Sequence, residues 1–188
     1  MSTSAGAELG TLERALPDGV KARLVGRKVE VTGPQGTLTR DFPIEAIALS
    51  FAPKAITLRL LLPPNRKRSR ALLGTWERHL GNLVDGVTHG FEAKMKSVAA
   101  HFPMKLSVKD HQLLIENFLG EKHPRSSQIL DGVEASVEGE FVVLRGLDIE
   151  KVGQCAATIE RTTRIRDYDP RVFQDGIYLV ERAHPRGA

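Results

Sequence analysis

Between Leu12 and Leu62 apolar and polar positions alternate in short runs: Val20 to Val25, Arg27 to Thr32, Thr37 to Phe42, Ile47 to Phe51 and Ala55 to Leu61. A period of two over five or six residues is the signature of a half-buried antiparallel strand. Gly33-Pro-Gln-Gly36 separates two of these runs. Pro presets φ at a turn position and Gly accepts positive φ, so the segment predicts a hairpin. After Pro63-Pro64 the period lengthens to that of a helix, with Leu72, Leu73, Trp76, Leu80, Leu83, Val84 and Val87 forming one apolar stripe. Asn65 is the candidate cap of this helix, and Gly86 or Gly90 its candidate stop.

The order of strands and then one helix recurs. Ala93 to Ala99, Met104 to Val108, Gln112 to Glu116, Val133 to Val137 and Phe141 to Arg145 read as strands, and a second helix opens at Asp148. Leu24 to Gly33 aligns loosely with Leu106 to Ile115, each a strand, tight turn and strand. The pattern predicts an α+β chain made of two tandem copies of a small antiparallel β-sheet packed against one α-helix, with the copies over residues 1–89 and 90–188. Residues from about 117 to 127 are expected to form a loop, and the residues after the second helix a basic tail.

Composition sharpens this picture only in part. The 188 residues are 41% hydrophobic, enough for a sizeable core, and carry a net charge of +4 with a pI near 9.4. The excess positive charge lies in residues 1–89, with 13 Lys and Arg against 8 Asp and Glu. In the second half it is clustering that matters: Lys151, Arg161, Arg164, Arg166 and Arg171 crowd together. A single cysteine, Cys155, excludes an internal disulfide, and no Cys/His spacing matches a structural zinc site, so no metal or cofactor is expected. No run approaches a membrane span and the first residues carry no secretory pattern, so a soluble, unexported, cytoplasmic protein is expected.

Three segments are candidates for an anionic partner. Asp148 as N-cap and Glu150 in the first turn agree with the helix dipole, and the buried stripe is expected to be Ile149, Val152, Ala156, Ile159 and Thr163. At 100° per residue, Gln154, Ala157, Arg161 and Arg164 fall within about 80° of one another on another face. Thr158 lies beside them, and Arg166 and Arg171 follow. Arginine forks match phosphate geometry, although a solvated helix face has the same composition. Arg66, Lys67, Arg68 and Arg70 crowd the start of the first helix, where cations oppose the dipole. Finally Gly120, Lys122, His123 and Arg125 share one segment, suited to phosphate and ribose contacts or simply to a charged hairpin tip.

Catalytic chemistry has little support. The six histidines are scattered, Asp167 and Asp169 read as turn residues, and no glycine-rich phosphate loop joins a strand to a helix. Only 5% of residues are aromatic and most of these fit the core, so single-strand stacking platforms are not expected.

The chain resembles one family, the universal large-subunit ribosomal protein L-six, in its archaeal and eukaryotic branch, whose eukaryotic member is called L-nine. The resemblance rests on Gly33-Pro-Gln-Gly36, Asn82 to Phe91, Asn117-Phe-Leu-Gly120-Glu-Lys-His-Pro-Arg125, Asp148 to Ala157 and Asp169-Pro-Arg171-Val-Phe-Gln-Asp-Gly176-Ile-Tyr178. It implies two domains from a duplication and a structural, non-enzymatic role in translation within the ribosome. It further implies binding of large-subunit ribosomal RNA near the sarcin-ricin loop and the stalk base. Other large-subunit proteins at the stalk base would then be neighbours and translation factors would lie nearby, with no membrane and no homo-oligomer. The second domain is expected to make most of the RNA contacts. The basic start of the first helix departs from many relatives.

Overall fold

A computed structural model of the chain describes residues 10–42, 45–63, 67–166, 169 and 171–187. They fall into two units, Met1–Thr88 and His89–Ala188.

In the first unit β1 (Thr11–Ala15), β5 (Ile47–Ala52) and β6 (Ala55–Leu60) form an antiparallel sheet in the order β1-β6-β5. A second sheet has the order β2-β3-β4, from β2 (Lys21–Val25), β3 (Lys28–Gly33) and β4 (Gly36–Asp41). The helix α1 (Lys67–Thr88) buries Leu73, Leu80, Leu83, Val84 and Val87 against a core that includes Val29, Val31, Ile47, Ile56 and Leu58. Gly33 and Gly36 face each other across the hairpin, and the Gln35 N–H donates to the Val87 carbonyl at 2.9 Å. Gly33 is required by close approach: a Cβ there would stand 2.8 Å from that same carbonyl oxygen. Gly86 lies inside α1 and is buried, so the stop falls to Gly90, at φ +71° in the left-handed region just beyond the last turn. Asn65 and Arg66 lie outside the described residues.

The second unit repeats this plan. β7 (Phe91–Val98), β11 (Val133–Glu138) and β12 (Phe141–Gly146) take the places of β1, β5 and β6, while β8 (Lys105–Lys109), β9 (Gln112–Glu116) and β10 (Arg125–Gln128) take those of β2, β3 and β4. The β8–β9 turn, Asp110-His111, has positive φ at both residues, the hairpin geometry that suits the strand twist. The helix α2 (Ile149–Thr162) buries Val152, Cys155, Ala156 and Ile159. Its core partners include Phe91, Met95, Leu113, Ile115, Leu144 and Ile177.

Two expectations are corrected here. Arg125 to Gln128 is a strand, paired with β9 from Arg125↔Ile115 to Gln128↔Gln112, so the expected loop ends at Pro124. The expected tail also contains a strand: β13 (Gly176–Pro185) pairs antiparallel with β7 and completes the sheet order β11-β12-β7-β13. No helix among the described residues is long and apolar enough to cross a membrane.

Candidate nucleic-acid interface

α2 starts as its sequence dictates. Asp148 is extended at φ −100°, ψ 113°, and its carboxylate accepts the Glu150 N–H at 2.9 Å, satisfying one open donor of the first turn. The helix ends earlier than its period suggests. Thr163 caps it, donating through Oγ1 to the carbonyls of Ile159 and Glu160 and accepting the N–H of Ile177 at 3.1 Å. Arg164 is therefore not on the helix face, as its spacing predicted, but on the non-helical segment that follows.

Arg161, Arg164 and Arg166 nevertheless converge. Together with Leu119, Glu121, Arg125 and Thr162 they line a cleft of about 720 Å³. All three arginines are exposed. Arg125 differs, because its forked donors are taken up within the protein. Its Nε donates to Glu121 at 2.9 Å and its Nη2 to the other oxygen of the same carboxylate, while Nη1 donates to the Thr162 carbonyl at 2.8 Å. The guanidinium also lies 4.2 Å from the centre of the buried Phe118 ring. Among the described residues Glu121 is the acid of the cleft, and the hydrogen bond from Arg125 holds its carboxyl below the usual carboxylate range. Paired in this way, Glu121 and Arg125 cancel each other's charge and leave the field of the cleft to the other three arginines.

The segment leading to Arg125 is tightly wound. Asn117, Leu119 and Gly120 all have positive φ around a single 3₁₀ turn, Phe118–Gly120. A Cβ on Gly120 would meet the Phe102 ring at 3.4 Å in a backbone region that already strains it, so this glycine is fixed by its own fold rather than by a partner's approach. Lys122 and His123 follow, both exposed. On α2, Gln154 is exposed, and Thr158 donates its hydroxyl to the Gln154 carbonyl at 2.8 Å. A Cβ on Gly153 would meet nothing within 4 Å, so this part of the helix face is low and open. Lys151, grouped with the cluster by sequence, donates to the Asp131 carbonyl at 3.0 Å. Arg171 is exposed on a turn in which its N–H donates to Asp169 at 2.9 Å, outside the cleft. In the first unit Lys67 and Arg68 are exposed in the first turn of α1, which contains no acid to offset them.

Sequence reasoning missed the neighbouring groove. Ala157, Arg161, Arg164, Ile165, Phe173, Gln174 and Tyr178 are among the residues lining a space of about 700 Å³ on the far side of Arg161 and Arg164. Tyr178 is 45% exposed and Phe173 36%, so two aromatic side chains reach the surface where no stacking platform was expected. The available signal was the strand alternation around Ile177, which turns Tyr178 outward.

The two-copy plan carries over to comparison with known proteins. The family model described as ribosomal protein L6 matches twice, over residues 16–90 and 102–176. The chain belongs to the ribosomal protein L6 family. Among its relatives in that family is the large ribosomal subunit protein uL6 of Methanospirillum hungatei, 43% identical over 175 residues, covering 92% of this chain and 98% of the relative. The protein of the same name from Methanothrix thermoacetophila is 42% identical over 167 residues, 89% of this chain and 94% of the relative. That of Methanobrevibacter smithii is 39% identical over 170 residues, covering 90% and 94%. Each family match begins after the first strand of its unit, β1 or β7, and the second ends as β13 begins.

Proposed function

We propose that this chain is a structural, RNA-binding component of the large ribosomal subunit in the cytoplasm, with large-subunit ribosomal RNA held on its second unit. The observation that carries this reading is the convergence of Arg161, Arg164 and Arg166 on one cleft whose acid among the described residues, Glu121, is already neutralised by Arg125. Unpaired guanidiniums fixed by a helix end and a short following segment suit a rigid polyanion, because their forks meet phosphate oxygens without first breaking an internal ion pair. The exposed Lys122 extends the same positive surface with His123 beside it, and Gln154 and Thr158 add polar groups on the side of α2 that carries Arg161. Arg171 adds a further contact from its turn. Lys67 and Arg68 form a separate basic patch at the start of α1 that is available to RNA. The region near the sarcin-ricin loop and the stalk base is the site on the subunit we assign, with other large-subunit proteins there as neighbours, translation factors nearby and no need for a second copy of the chain.

Affinity of this kind depends on counterion release, so binding of the purified chain to large-subunit ribosomal RNA falls steeply with salt. Arg161→Ala combined with Arg164→Ala is expected to reduce the slope of log K against log salt by about 1 to 2. An unchanged slope removes the cleft from the interface. In sucrose gradients the tagged chain is expected to sediment with the large subunit, and recovery only in the ribosome-free fraction overturns the reading.

A further inference from the structure

The groove beside the basic cleft has a construction that phosphate binding does not explain. We infer that it takes a single unstacked nucleobase of the bound RNA, laid on the ring of Tyr178, with the adjoining phosphates on Arg161 and Arg164. The inference rests on the RNA-binding reading above and assigns the groove a role of its own.

Three observations carry it. First, the ring of Tyr178 is held in place from two sides. It packs on Gly176 so closely that a Cβ there would lie 2.9 Å from the ring, and its hydroxyl donates to the Gln174 carbonyl at 3.1 Å. A ring fixed in this way offers its exposed surface at little entropic cost, as a stacking platform must. Secondly, the groove is lined with small and apolar groups, Ala157, Ile165 and the buried Ile177, and its acid, Glu160, already accepts the Leu179 N–H at 2.9 Å. Thirdly, Arg161 and Arg164 border both this groove and the basic cleft. An apolar slot rimmed by two guanidiniums complements a planar base carrying its own phosphates. A paired helix presents phosphates but keeps its base faces stacked inside, whereas loops and bulges display splayed bases to aromatic side chains. The Gln174 side chain, on the same wall, supplies both a donor and an acceptor for a base edge.

The test uses the full chain and transcribed large-subunit ribosomal RNA, footprinted with base-selective reagents, followed by a synthetic fragment spanning the footprint. One unpaired nucleotide is expected to be protected by the wild-type chain, exposed with Tyr178→Leu and protected again with Tyr178→Phe, which keeps the ring. Replacing that nucleotide by an abasic one is expected to weaken wild-type binding about fivefold or more, and to weaken Tyr178→Leu no further. The abasic arm reads the contact even if the leucine variant folds poorly. If wild-type binding keeps its steep salt dependence but no nucleotide responds to Tyr178 or to base removal, the groove inference falls and the RNA reading stands. Protection of the groove that appears only after other large-subunit proteins are added also overturns it, in favour of a protein occupant. If the wild-type chain shows no salt-dependent RNA binding, both fall together.

Discussion

The Nη1 of Arg125 donates to the carbonyl of Thr162 at 2.8 Å and so closes the last turn of α2 from outside the helix. The last carbonyls of a helix lack intrahelical donors, and here a strand residue 37 positions earlier supplies one. Arg125 is therefore a positioning residue. Arg125→Ala is expected to destabilise the second unit by about 1–3 kcal/mol, since it removes the charged donor to the Thr162 carbonyl and the guanidinium packed on the buried Phe118 ring. Arg161→Ala is expected to change stability by no more than about 0.5 kcal/mol. Hydrogen exchange of the α2 amides during denaturant titration separates the two, and equal losses would refute the distinction. Arg125→Lys is not a rescue, because an ammonium cannot reproduce the fork.

The same pair sets a pH dependence. Arg125 depresses the carboxyl of Glu121 in the folded chain, chiefly through their hydrogen bond. A depressed carboxyl contributes stability that is present above its unfolded value and lost as pH falls through the folded one. Loosening of the segment from Asn117 to Arg125 is thus expected at pH values below the ordinary glutamate range of about 4.3. Glu121→Gln should show no such acid transition in the NMR shifts of the Arg125 side chain. A transition near neutrality in the wild type would assign the effect to another group.

How far these features could be read from the chain depends on how local their causes are. β9, β12 and the start of α2 follow from period, turn and cap, all set within a few residues, and Asp148 caps as its sequence position suggests. β10 does not, because Arg125-Ser-Ser-Gln128 has no apolar alternation and becomes a strand only when β9 offers its backbone. β13 hides for another reason: register shifts at Leu179/Glu181 and Glu181/His184 break the alternation that its first residues begin. The arginines of the cleft were legible as a cluster. That Arg125 is engaged internally and Arg164 lies beyond the helix was not, because the contacts of Arg125 with Thr162 and of Thr163 with Ile177 form only through tertiary packing.

Ile177 gives a direct test of the role of β13. It is buried at 1% exposure, while Val180 on the same strand is 56% exposed. Ile177→Ala is expected to cost about 2–5 kcal/mol, whereas Val180→Ala should stay within about 0.5 kcal/mol. Thermal denaturation of the two variants decides the matter, and a small effect at Ile177 would return the segment to the status of a tail.

Cys155 should be chemically silent. Its sulfur is buried and accepts the Leu130 N–H at 3.2 Å, and burial pushes the thiol up from its ordinary value. With little thiolate at neutral pH and no access, a disulfide reagent is expected to modify it only at the rate at which the second unit opens. Modification as fast as that of a free thiol in native buffer would contradict this burial.

The pairing of β7 with β13 also sets a timetable. In the first unit each strand has met its partner by residue 60, and α1 is complete by residue 88. In the second, β7 emerges during synthesis with one flank open and must wait for Pro185 to reach Phe91 before its sheet is whole. Contacts so distant in sequence close slowly, and an open β7 is a template for unwanted strand pairing in the interval. A nascent chain would therefore hold a finished first unit while the second remains vulnerable, and the residues most exposed to that delay are those that build the groove around Tyr178.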